Sequence, residues 1–160
     1  GKPYMGILGF EGVLTPEGDI AITEALPFLK DHNAQAVLSL LENNVFELMH
    51  SCAIGAFSDE YEIIDIKDEF SASLVLSSGK VVNEVITGLD EVDENVSINH
   101  LNTKQNEYTE YEVLGDRVLV VSTTAKTLGR AVSNLYDEID GIKFRGKHYR
   151  KDICNVPSNV

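Results

Sequence analysis

Two acidic residues near one predicted turn are the strongest candidates for metal-assisted chemistry in this sequence. Glu24 stands at the end of a predicted hairpin strand, and Asp31 follows across a short irregular segment. Such a pair can share Mg²⁺ with substrate phosphates, because Mg²⁺ keeps several waters and needs only one or two protein carboxylates. Two acidic residues near a turn are also common without any metal. Both interpretations stay open at this point.

Other residues with chemical potential favour structural roles. The glycines at positions 6, 9 and 12 lack the lysine and the strand-then-helix context of a phosphate loop. The acidic run at 90–94 lacks the glycine and spacing of an EF-hand loop, which favours a solvated turn. A lone histidine beside apolar residues is more often hydrogen-bonded than metal-bound. The histidines are scattered, at His32, His50, His100 and His148.

Composition excludes several classes of partner. The chain has 160 residues, 43% of them hydrophobic, and 13 Lys and Arg against 26 Asp and Glu, for a net charge of −13. This acidity argues against binding to nucleic acid or to anionic lipid, which needs clustered basic residues. No apolar run approaches the roughly 20 residues of a membrane span. Cys52 and Cys154 form no disulfide framework, so we predict a cytoplasmic protein without nucleic-acid or membrane partners.

The first third of the sequence predicts a hairpin followed by two helices. Apolar residues mixed with glycines at 4–14, and isoleucines alternating with smaller residues at 20–23, flank a Thr-Pro-Glu-Gly turn at 15–18. Apolar residues recur at helical spacing over 33–42. A second helix has Asn44 as its predicted N-cap, with Glu47 placed to complete a capping box, and Gly55 as its end.

The remainder predicts mainly strands and one helix. Strands are predicted at 72–76, 81–87, 96–101, 108–114, 117–122, 142–144 and 148–153, and a helix at 124–139. Segregated helices and strands indicate an α+β fold. An acidic, loop-like segment begins near Phe57 and strands dominate beyond it, which indicates two units.

Several ordered stretches carry a resemblance to a known family. Gly115-Asp116-Arg117-Val118-Leu119 is followed by Thr127-Leu128 and then by Asp-Gly-Ile-Lys-Phe-Arg-Gly-Lys-His-Tyr-Arg-Lys-Asp-Ile at 140–153. Together they resemble the end of glycinamide ribonucleotide synthetase, also called phosphoribosylamine–glycine ligase. Val85 to Asp90, and His100 with Thr103, resemble further signatures of that family. The resemblance extends from the hairpin to Ile153.

The resemblance implies a function for a longer chain. That family has an N-terminal domain, an ATP-grasp core and a β-rich C-terminal domain of the rudimentary-hybrid type, so residues 1–56 would end the ATP-grasp core and residues 57–160 would form the C-terminal domain. The family reaction joins glycine to 5-phosphoribosylamine, using ATP with Mg²⁺ or Mn²⁺. We expect the 160-residue piece to be inactive alone and to pair with the rest of its own ATP-grasp chain. Gly1 would mark a cut or the remnant of a tag.

One segment departs from the family pattern. Glu24, Asp31 and Gln35 match the motif that follows the hairpin, but Leu26 and Phe28 stand where the family has a metal-binding asparagine and an arginine. The resemblance therefore implies Glu24 as the remaining metal ligand, with Asp31 and Gln35 as possible substrate-loop residues. Two hypotheses follow, a divergent ligase or a ligase-like paralogue that acts as a non-catalytic binding module. The closing motif disfavours a third, an unrelated acidic interaction domain.

Overall fold

A computed structural model describes residues 4–31, 33–56 and 64–154. It contains helices and antiparallel strands, as predicted. In chain order the elements are β1 (Gly9–Leu14), β2 (Ile20–Leu26), α1 (Asn33–Leu38), α2 (Val45–Ile54), β3 (Phe70–Ser77), β4 (Val96–His100), β5 (Thr103–Gln105), β6 (Tyr111–Val113), β7 (Arg117–Ala125) and α3 (Leu128–Gly141). His32 and the predicted start of the second unit at residue 57 lie outside the described residues. The division into 1–56 and 57–160 therefore stays a prediction.

The predicted hairpin is confirmed as β1 and β2. The two strands pair antiparallel, and the amide of Gly18 donates to the carbonyl of Thr15 across the turn at 3.0 Å. The pairing contains a β-bulge, because Glu11 lies opposite Glu24 whereas Gly12 lies opposite Ile22. Thr23 is thus the extra residue, and its hydroxyl donates to the Glu11 carbonyl at 3.2 Å. The bulge fixes the face of the hairpin on which Glu24 lies.

The second predicted helix has the ends that the sequence indicates. The Asn44 side-chain oxygen accepts from the amides of Phe46 and Glu47, at 3.0 and 3.3 Å. Gly55 ends α2 in the left-handed conformation, with φ 71°. The first helix is shorter than the predicted 33–42: α1 ends at Leu38.

The main core lies in the second half of the chain. β7 is the central strand of a three-stranded antiparallel sheet in the order β3-β7-β4, and α3 packs on β3 and β7. Alternate residues of β3 point inward, and α3 buries residues at helical spacing. The core cluster consists of Ala72, Leu74, Leu76, Ile86, Val113, Val118, Leu119, Val121, Ala131, Leu135, Ile139 and Ile142.

Three predicted strands are wrong. The segment 81–87 follows Lys80 and contains Asn83, and both have positive φ, at 73° and 58°, which breaks an extended run. It makes only isolated bridges, as do 142–144 and 148–153, where Thr87 bridges Lys143 and Ser77 bridges His148. The predicted strand 108–114 begins only at Tyr111, because Thr109 has φ 65°. The short strand β5 was not predicted.

Hydrogen bonds join the two halves of the chain. The Ser39 and Ser71 hydroxyls lie 2.8 Å apart, and the Lys67 ammonium donates to the Ser39 carbonyl at 3.0 Å. α1 packs against β3 and β7. Within the described ranges, no helix has the length and apolar character needed to cross a bilayer.

Candidate functional site

Glu24 lies beside a second carboxylate and a lysine. It is paired across the hairpin with Glu11, and the Lys30 ammonium reaches back from the segment after β2 to both side chains. The Lys30 nitrogen is 2.7 Å from Oε1 of Glu11 and 3.5 Å from Oε2 of Glu24. All three side chains are between 40% and 52% exposed. We call this group the hairpin triad.

Charge explains the geometry of the hairpin triad. Like charges placed directly opposite on neighbouring strands repel, so a cation between the facing carboxylates of Glu11 and Glu24 is stabilising. The hydrogen bond to Glu11 raises the pKa of Lys30 above its ordinary 10.5, and the charges of both carboxylates add to this effect. Lys30 therefore stays protonated at physiological pH.

Asp31 points to a different part of the molecule. Its Oδ2 pairs with Nη1 of Arg117, at the start of β7, at 3.3 Å. Both residues line a small cavity of about 300 Å³ together with His100 and Asn102. Glu24 is thus in an ion pair within the hairpin, and Asp31 is in another between the two halves of the chain. Sharing of a metal ion by the two carboxylates stays a prediction.

His100 stands at the same cavity in a structural arrangement. Its Nδ1 lies 2.9 Å from the Thr103 hydroxyl, and its ring is 4.2 Å from the ring of Tyr111. Partial burial lowers the pKa of His100 below its ordinary 6.5. The neutral imidazole is therefore favoured, and the contact with Thr103 agrees with the predicted hydrogen-bonded histidine.

Gln35 lies on α1 and faces the second half of the chain. Its Oε1 is shielded from solvent and, among the described residues, has no hydrogen-bond partner. The side chain lines a cavity of about 280 Å³ with Ser97 and Asn99 of β4. Glu24, Asp31 and Gln35 therefore have three different sets of neighbours, and their substrate-loop and metal roles stay predictions.

The residues around Glu24 do not fit a divalent metal. Leu26 is half-buried and Phe28 is 51% exposed, and neither side chain offers an oxygen. In the described part of the chain, no three His, Cys, Asp or Glu residues group closely enough to hold a metal ion. The two carboxylates that converge at the hairpin already share Lys30.

The acidic run at 90–94 forms a hydrogen-bonded turn before β4. Oδ1 of Asp93 accepts from the backbone and side-chain nitrogens of Asn95, both at 2.8 Å, and these bonds lower the pKa of Asp93. The Asp93 amide donates to Glu138 of α3 at 3.2 Å. These contacts agree with the predicted turn.

Sequence reasoning missed Glu11, Lys30 and Arg117 as partners of the predicted site residues. Glu11 could have been found only from its position opposite Glu24. Regular pairing counted from the turn would put Thr23 there instead, because it ignores the bulge. Arg117 belongs to the motif Gly115–Leu119, but its contact with Asp31 joins residues 86 positions apart, which no local pattern indicates.

Comparison with known proteins places this fold in a family. A family model described as "Phosphoribosylglycinamide synthetase, C domain" matches residues 76–156, just over half of the chain. The chain belongs to this family. The matched phosphoribosylglycinamide synthetase C domain contains β4 to β7 and α3, so it includes the central strand and most of the buried core.

Individual relatives match beyond this C domain. A phosphoribosylamine–glycine ligase of Listeria innocua is 32% identical over 94% of this chain and 36% of its own length. A bifunctional purine biosynthetic protein of Pichia angusta is 29% identical over 97% of this chain and 20% of its own length. The crystal structure of the phosphoribosylamine–glycine ligase of Thermotoga maritima superposes with TM-score 0.70 at 21% identity, covering 91% of this chain and 36% of that chain. The chain thus spans about a fifth to just over a third of these proteins.

Proposed function

We propose that this chain is the C-terminal part of a phosphoribosylamine–glycine ligase, which joins glycine to 5-phosphoribosylamine in purine biosynthesis. The observation that carries the proposal is the extent of the match. The Listeria ligase aligns with 94% of the chain, well beyond the C domain at residues 76–156. A shared core alone would not produce similarity across the hairpin and α2 as well.

The first 56 residues would complete an ATP-grasp core. β1 and β2 form a separate two-stranded sheet, and such a sheet is marginally stable without cover. Its apolar side chains are largely exposed, with Phe10 at 60%, Ile20 at 74% and Ile22 at 65%. We propose that the preceding part of the ligase chain covers these residues, and that the complete protein is cytoplasmic.

ATP with Mg²⁺ or Mn²⁺ is the proposed cofactor of the complete ligase. A divalent ion would neutralise charge on the transferring phosphoryl group when bound. Since the hairpin triad does not fit a metal, the ligands would come from residues other than this triad. The 160-residue chain alone should bind MgATP weakly or not at all, and micromolar affinity by calorimetry would contradict this expectation.

The test is an assay of the full-length protein. Release of ADP at millimolar Mg²⁺ should require both glycine and 5-phosphoribosylamine. Reactions that omit either substrate are the controls, and they separate ligase turnover from simple ATP hydrolysis. Substrate-dependent release no higher than in these controls would reject the ligase proposal.

The alternative is a ligase-like paralogue that acts as a non-catalytic binding module. Leu26 and Phe28, which offer neither metal ligand nor positive charge, favour it, as does the neutralisation of Glu24 by Lys30. This alternative predicts a folded full-length protein without substrate-dependent ADP release. Circular dichroism on the protein used for the assay distinguishes it from simple misfolding.

A further inference from the structure

The hairpin triad places an ammonium group where a bound cation would otherwise lie. Glu11 and Glu24 face each other across β1 and β2, and Lys30 contacts one oxygen of each. We propose that Lys30 is the built-in cation of this carboxylate pair and keeps divalent metal ions from binding there.

The register of the hairpin favours a cation at this position. The bulge at Thr23 sets Glu24 directly opposite Glu11, so two negative groups lie on one face of a narrow sheet. An ammonium has three donors and no acceptor, and it satisfies two carboxylate oxygens at once. Lys30 lies on the segment that leaves β2, so it is held near the pair by the chain itself. The raised pKa of Lys30 agrees with this arrangement.

The same contacts disfavour a metal ion. Mg²⁺ binds oxygens at about 2.0–2.1 Å with near-octahedral geometry, so an ion on Glu11 and Glu24 would have to displace the ammonium. Displacement would leave two positive centres near each other, and the repulsion weakens metal binding further. Leu26 supplies no oxygen to compensate. Replacing Lys30 with an uncharged residue should therefore open a cation site.

Mn²⁺ binding by the full-length protein tests the proposal directly. Free Mn²⁺ is measured by electron paramagnetic resonance during titration, alone and with a non-hydrolysable ATP analogue. The wild-type protein and Glu24→Gln should bind the same number of Mn²⁺ ions with the same affinity. Loss of one site in Glu24→Gln would overturn the proposal, because it would show that wild-type Glu24 is a ligand.

The Lys30→Met variant supplies the second arm. It should gain one Mn²⁺ site, with an affinity at least tenfold higher than any Mn²⁺ binding by the wild-type hairpin. The double variant Lys30→Met/Glu24→Gln should lack this site. No gain in Lys30→Met would overturn the claim that Lys30 excludes the metal. Lys104→Met is the matched control, since Lys104 pairs with a single carboxylate, Glu112, at 3.0 Å. It should gain no site.

These outcomes are independent of turnover. The Mn²⁺ titration measures occupancy of the hairpin, whereas ADP release measures the ligase reaction. Absence of substrate-dependent ADP release would reject the ligase proposal. If the wild-type and Glu24→Gln proteins still gave equal Mn²⁺ titrations, the inference about Lys30 would stand. Thermal melts of each variant check folding, and the wild-type and Glu24→Gln comparison does not depend on any Lys30 variant.

Discussion

The two halves of this chain differ in how far their apolar side chains are exposed to solvent. In residues 4–56, large hydrophobic residues such as Ile20 and Phe46 are 74% and 77% exposed, and Leu48 is the one buried hydrophobic residue among those described. In residues 64–154, side chains such as Leu119 and Ile139 are fully buried. The second half closes its own core, whereas the first half presents surface that only further protein could bury. Stability of the described chain should therefore reside in its second half.

The largest expected effect is the removal of a core side chain from the second half. Leu135 on α3 is fully buried, so Leu135→Ala should lower the free energy of unfolding by about 3 kcal/mol. Urea denaturation followed by circular dichroism measures the loss. Ile22→Ala on β2 is the matched change in the first half and should cost less than about 0.5 kcal/mol in this chain, because Ile22 is 65% exposed. Equal losses would abolish the contrast between the halves.

In the full-length protein, Ile22→Ala tests whether other sequence covers the hairpin. If preceding sequence covers the hairpin, Ile22→Ala should there cost about 2 kcal/mol, as a buried position does. An unchanged small cost would contradict the proposed cover, whatever the activity of the protein.

A second effect is expected where two backbones meet in the second half. Gly88 has φ +81°, and a Cβ there would collide with the carbonyl of Gly141. Gly88→Ala should therefore cost about 2 kcal/mol or more. Gly129→Ala is the control, because nothing lies within 4 Å of its added Cβ and alanine favours helix, so it should stabilise by about 0.5 kcal/mol. Thermal melts compare the two, and similar values for both would argue against the close approach at Gly88.

A smaller effect is expected for the ion pair that joins the halves. A double-mutant cycle with Asp31→Asn and Arg117→Met should give a coupling of about 0.5 kcal/mol, since Asp31 is 81% exposed. The coupling should shrink in 1 M NaCl, because salt screens exposed charges. Urea denaturation gives the four free energies. A coupling above about 2 kcal/mol would show that the link is far less solvated than an exposed pair.

The smallest effect is a pH dependence from His100. Its pKa in the folded chain lies below the ordinary 6.5, so the unfolded chain binds the proton more readily. The stability from neutral His100 is complete above pH 6.5 and is lost as the pH falls from there through the folded value. Urea denaturation at pH 7.5 and pH 5.5 should show this decline, and His100→Gln should reduce it. The same decline in both proteins would assign it to other groups.

Local signals were sufficient where a few neighbouring residues determine the structure. Asn44 with Gly55 predicts both ends of α2, and Thr15 to Gly18 predicts the hairpin turn. The predicted strand at 81–87 failed because its apolar residues meet the core from an irregular path set by positive φ at Asn83. For the site, Glu24 could be singled out from the sequence, but Lys30 and Glu11 could not be paired with it. That pairing depends on the bulge, which no periodicity in the strands indicates.

The single unpaired residue Thr23 has a consequence for how related sequences are compared. If Thr23 were paired regularly, it would lie opposite Glu11, and Glu24 and every residue after it in β2 would exchange faces relative to β1. An alignment that moves a gap by one position in this hairpin therefore assigns the carboxylate to the wrong side of the sheet. Insertions and deletions between Glu11 and Glu24 deserve as much scrutiny in relatives as the identity of the acidic residue itself.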